Sequence, residues 1–213
     1  MCFSSEVSLL TLLIGLTGSL LVWNLGTNSD KIISGYLGYV SLMQLTEYLL
    51  WNYQKCDDFH KNISISGMIL NVLQPVVLGI LVLVLSPRQI YKILIYIILF
   101  VYISITFGWY VQQYTSDLQC TNPRKDDPHL VWNWTILKDY EIGWFGYIVT
   151  SMLISILGMP TLNSGIFLAL GLLISMLISI IVYPRQNMGA LWCFFSAFGP
   201  IGYYMLRISR VIK

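Results

Sequence analysis

The chain has 213 residues, of which only 10% are charged, where a soluble domain carries roughly 25%. Hydrophobic residues make up 56%, aromatic residues 14%, and the mean hydropathy is +0.71. Twelve bases and ten acids cannot cover a soluble surface, and a net charge of +2 makes no nucleic-acid face. A soluble enzyme, a disordered chain and a basic nucleic-acid binder are thereby excluded.

The composition instead predicts an all-α, polytopic transmembrane helix bundle, a single integral domain over 1–213. Stretches free of Asp, Glu, Lys and Arg cover 7–29, 62–87, 93–116, 142–184 and 186–206, and 32–54 is interrupted only by Glu47. About 20 apolar residues cross the hydrocarbon, and 142–184 is roughly twice that. Its middle reads Gly158-Met159-Pro160-Thr161-Leu162-Asn163-Ser164-Gly165, a turn signal that divides it into two helices. Seven spans follow, near 7–25, 32–52, 64–86, 91–111, 142–159, 163–183 and 188–207.

Taken in order, the first span is preceded by Met1-Cys2-Phe3-Ser4-Ser5-Glu6, which carries an acid and no base. It therefore reads as a retained helix and not a cleaved signal peptide. The second span holds Glu47, the one ionisable side chain inside a predicted span. Burying a carboxylate there costs at least ~2.5 kcal/mol, so it faces protein or a water cavity. Gln44 and Trp51 share its helical face. In the third span, Asn71 and Gln74 precede Pro75. Folding the two spans about residue 59, in the loop 53–63, brings Glu47 level with Asn71 and Gln44 level with Gln74. Pro75 removes a backbone donor and kinks its helix.

The longest non-membrane loop, 112–141, carries Cys120, Arg124-Lys125-Asp126-Asp127, His129, Trp132 and Trp134. The seventh span contains Gly199-Pro200, a second expected kink. Around it Trp192, Ser196 and Tyr203 recur at helical spacing, which reads either as a packed aromatic face or as a gate or cavity against spans two and three.

Seven spans place the N-terminus with the loops after spans two, four and six. That side has six bases and eight acids, and the other has six bases and one acid. Both N-glycosylation sequons, at Asn62 and Asn133, fall on the acidic side, as do Cys56 and Cys120. A Cys56–Cys120 disulfide needs an oxidising compartment, which the non-cytoplasmic face supplies. The expectation is a non-cytoplasmic N-terminus and a cytoplasmic C-terminus.

The two histidines lie in loops, no ligand spacing for a metal occurs within a span, and no cofactor fingerprint is present. No lysine lies in a span core, which excludes a retinal Schiff base as in microbial rhodopsins. The layout resembles that of G-protein-coupled receptors in topology only: span three ends in Leu85-Ser86-Pro87-Arg88, and span seven lacks Asn-Pro-x-x-Tyr. A second resemblance rests on Met43-Gln44-Leu45-Thr46-Glu47-Tyr48-Leu49-Leu50-Trp51 followed by Asn71-Val72-Leu73-Gln74-Pro75. This pair of segments resembles an uncharacterised family of multi-pass membrane proteins of large DNA viruses and some eukaryotes. The likeness is clear over spans two and three and extends elsewhere by hydropathy. That family has no assigned activity, so the resemblance implies only that Glu47 and Gln74-Pro75 are places to look.

Three non-enzymatic readings follow. The first is a structural or interaction membrane protein whose polar groups serve packing. The second is a small channel or transporter with Glu47 in its pathway. The third is a ligand-sensing receptor, for which the loops at Lys31, Arg88 and Pro160 are short. The partners implied are the lipid bilayer, a second copy or another membrane protein, and a small solute or ion.

Overall fold

A computed structural model describes residues 4–114, 120–124, 127–132, 140–182 and 188–212. The described residues are almost wholly helical: α1 (Ser5–Trp23), α2 (Asn28–Asn52), α3 (Asp58–Leu85), α4 (Lys92–Tyr114), α5 (Tyr140–Gly158), α6 (Leu162–Val182), α7 (Met188–Ser196) and α8 (Gly199–Ile208). Two short strands, β1 (Asn122–Arg124) and β2 (Asp127–Val131), interrupt the series and pair antiparallel, with Asn122 opposite Val131.

Local chemistry sets the helix ends. Ser4 caps α1 by accepting from the Val7 N–H. Thr27 and Asp30 form a reciprocal capping box at the start of α2, and Asp57 accepts from the Phe59 and His60 N–H groups at the start of α3. The turn between α5 and α6 is the one the glycine–proline cluster predicts. Thr161 caps α6 through the Ser164 N–H. A Cβ on Gly165 would lie 2.5 Å from the Ser155 carbonyl, so glycine is what lets these two helices approach so closely.

Helix α2 lies at the centre and packs against α1, α3, α7 and α8, while α5 packs against α3, α4 and α6. The exterior is apolar. Val84, Ile93, Phe100 and Ile181 are 73–81% exposed, which suits hydrocarbon and not water. Among the described residues four helices are long and apolar enough to cross a membrane: Ser5–Trp23, Asp58–Leu85, Gln89–Gly108 and Leu162–Ile181. Apolar α5 is shorter by that measure. Helix α2 is long, but its apolar residues are diluted by Asp30, Lys31, Glu47 and several serines.

The two prolines behave differently. Helix α3 continues through Pro75. The ring leaves the Asn71 carbonyl without its usual donor, and the adjacent Val72 carbonyl accepts from Tyr102 Oη of α4 at 2.9 Å. At Pro200 the expected kink is instead a break, so the seventh predicted span is not one helix. The ring cannot donate to the Ser196 carbonyl and crowds it. The chain turns at Ala197 and Phe198, and Pro200 becomes a first-turn residue of α8.

Candidate functional site

All four polar residues predicted for the membrane interior are buried: Glu47 and Gln74 completely, Gln44 to 1% exposure and Asn71 to 8%. Helices α2 and α3 pack as the predicted antiparallel pair, with Gly67 facing Thr46 and Gly35 facing Leu81. The pairing axis thus falls slightly before residue 59.

The structure adds a third wall. Tyr147 of α5 donates its hydroxyl to Gln74 Oε1, and its oxygen is 3.3 Å from Tyr36 Oη of α2. With the Tyr147 proton committed to Gln74, Tyr36 is the donor to Tyr147. This chain ties α3, α5 and α2 together. Trp192 of α7 stands edge-on to Tyr147 and to Trp144, with ring centroids 5.0 and 5.7 Å apart. Cys193, next along α7, is buried and faces both Gln74 and Glu47. Trp192, Pro75 and the Glu47 group are therefore parts of one region. Sequence reading missed Tyr36, Trp144 and Tyr147, although Trp144, Tyr147 and Ser151 recur along α5 at a spacing that marks a single face.

Several donors here remain idle. Nε2 of Gln44, Nε1 of Trp192 and Oγ of Ser196 are buried with no hydrogen-bond partner among the described residues. Gln74 Nε2 has only the Cys193 thiol before it, a weak acceptor. Each such group costs roughly 1–3 kcal/mol while it stays unmet. Under-used amide donors in the buried region that also holds a carboxylate suit a small molecule that both accepts and donates hydrogen bonds.

Tyr203, expected near Trp192, belongs elsewhere. At the opposite end of α2, Asp30 is fully buried. Its Oδ1 accepts from Tyr203 Oη and Arg207 Nε, both at 3.0 Å, and its Oδ2 from Arg207 Nη2 at 3.1 Å and from Thr27. Ser164 Oγ lies 3.2 Å from Tyr203 Oη, which brings α6 into the same cluster. Burial alone would raise the Asp30 pKa. The bonds from Thr27, Arg207 and Tyr203 outweigh it and hold the carboxyl below its usual 3.8. The capping-box spacing of Thr27 and Asp30 was legible in the chain. The partner 177 residues away was not.

On the other side of the molecule the expected Cys56–Cys120 disulfide is present, with Cα atoms 5.9 Å apart. Beside it His60 is fully buried. Its Nδ1 lies 2.6 Å from the Tyr53 carbonyl and its Nε2 lies 2.9 Å from the Thr121 carbonyl. Tyr53 donates to Asp57, a bond that, with the two capping N–H groups, keeps the Asp57 carboxyl below its ordinary range. Asn62 is exposed in the second turn of α3, whereas Asn133 lies outside the described residues. Among the described residues no group of three or more His, Cys, Asp and Glu is placed to hold a metal. No protein-family model, curated protein or solved structure matches the chain.

Proposed function

We propose that the protein is a non-enzymatic, seven-crossing membrane carrier or channel that accepts a small polar solute or a proton at Glu47, Gln44 and Gln74. Its N-terminus is non-cytoplasmic and its C-terminus cytoplasmic. The observation that carries this reading is the idle amide donor of Gln44, with that of Gln74 met only by a thiol, in the buried region that holds Glu47. A network retained for packing alone is expected to satisfy its members, because a half-satisfied one is less stable than an apolar core. The fitting solute offers acceptor lone pairs to the amides and a proton or cationic group to the carboxylate. Kinship with the multi-pass proteins of large DNA viruses belongs to the same proposal and rests on the α2 and α3 segments alone.

A second reading, a structural or interaction protein, is favoured by the Tyr36–Tyr147–Gln74 chain, which joins three helices. Proton flux into vesicles loaded with a pH-sensitive dye separates the two. Wild type should exceed empty vesicles, and Glu47→Gln should abolish the flux while keeping its unfolding midpoint. No flux above empty vesicles, together with an effect of Glu47→Gln on stability only, leaves packing as the role. Outside modification of a tag placed beyond Ile212 would overturn the orientation.

A further inference from the structure

We infer that Trp132 is the outer gate of this interior, held shut by a clasp made of the Cys56–Cys120 disulfide and His60; the inference rests on reading the Glu47 region as a binding site. Trp132 follows β2 directly and is only 1% exposed. A Cβ built on Gly67 would meet its ring at 2.5 Å and Thr46 Oγ1 at 3.4 Å. The tip of the indole thus lies on bare α3 backbone, against the residue that precedes Glu47. A side chain at 67 would exclude it.

What fixes the indole there is the chain leading to it. Cys120 is bonded to Cys56, and the next residue, Thr121, is held on both sides of its peptide: the carbonyl faces His60 Nε2, and the N–H donates to Ser64 Oγ at 3.1 Å. The Tyr53 carbonyl aims the imidazole from its other nitrogen. Pairing of Asn122 with Val131 then carries this fixed end across the hairpin to the residue before Trp132.

One stripe of α3 connects clasp, gate and site. His60, Ser64, Gly67, Asn71 and Gln74 follow at steps of three and four residues, and each of the four with a side chain is at least nine-tenths buried. Along this stripe the imidazole, the indole notch and the amides stand in order from the loop inward. A solute approaching Gln44 and Gln74 from the loop side meets Trp132 first, at the depth of Glu47. Release of the indole from Gly67 is the opening movement.

The test uses the purified full chain carrying Thr46→Cys, with maleimide modification read at residue 46 by peptide mass. With Trp132 in place modification should be slow. Trp132→Ala should raise the rate at least about tenfold, as expected when a locally closed segment is opened. Gly67→Ala should do the same from the opposite side by displacing the indole, and Trp132→Phe, which keeps an aromatic plug, should restore slow modification. An intact Cys56–Cys120 bond and a cooperative unfolding transition identify the variants that are folded. Equal rates in all four proteins, or fast modification with Trp132 present, would overturn the gate and leave the Glu47 site standing. Gated modification with proton flux indifferent to Glu47→Gln would instead support the gate and sink the binding-site reading.

Discussion

Helix α2 carries two buried carboxylates, Asp30 and Glu47, seventeen residues and about 26 Å apart along the helix axis. Their surroundings are opposites. Asp30 is saturated: five hydrogen bonds converge on its two oxygens, from Thr27, Tyr203 and Arg207. The region of Glu47 contains one amide donor that is unspent, on Gln44, and one, on Gln74, that meets only a thiol. Burial alone therefore does not distinguish a lock from a site. The state of the neighbouring donors does, because folding selects saturated polar clusters and tolerates unsaturated ones chiefly where something else completes them.

The sharpest way to break this contrast is at the saturated end. Asp30→Ala should cost about 3 kcal/mol, since it strands the half-buried Arg207 guanidinium and the Tyr203 hydroxyl. Denaturant unfolding in detergent measures this, and a double-mutant cycle with Arg207→Ala should show strong coupling. The same carboxylate has an acid signature. Its native pKa lies below 3.8, so its contribution is complete above that value and is lost as the pH falls through the native pKa. Unfolding midpoints recorded between pH 6 and 2 should fall more steeply for wild type than for Asp30→Asn. Equal slopes would mean that the pair contributes nothing.

At the other end the effects shrink and change character. Tyr147→Phe deletes the link between Gln74 and Tyr36 and should cost about 1–2 kcal/mol, the loss of a buried hydrogen bond whose acceptor is left unmet. Gln44→Leu should be the mildest. Removing an idle donor leaves stability unchanged or raises it by up to about 1 kcal/mol, while proton flux falls. A loss of several kcal/mol in Gln44→Leu would show that its amide is engaged in packing, and the contrast between the two ends of α2 would collapse.

Much of this was legible in the chain because it depends on near neighbours. Charge spacing marked most helix ends to within about four residues: 32–52 became Asn28–Asn52, and 163–183 became Leu162–Val182, but α3 begins six residues before the expected 64 and so takes in His60, expected in a loop. The polar spacing on α2 and α3 marked four residues that are indeed buried, and two loop cysteines marked a real bond. What stayed hidden depends on distant pairs. Nothing local joins Asp30 to Arg207, and nothing local brings α5 against Gln74, since helix order around a bundle is set by packing that periodicity does not encode. The break before Pro200 was underread for a different reason. Proline permits either a kink or a break, and which occurs depends on whether neighbouring helices can hold the two halves.

Those halves bear on how the chain enters a bilayer. At 9 and 10 residues, α7 and α8 are each about 15 Å long, half the hydrocarbon thickness. Helix α2 is long enough but too polar to be favoured in lipid by itself. In the proposed seven-crossing arrangement, the segments least able to insert unaided are the ones that pack on each other, and Arg207 of α8 pairs with Asp30 of α2. On that proposal α2 meets the cation that neutralises Asp30 only when the last part of the chain has been made.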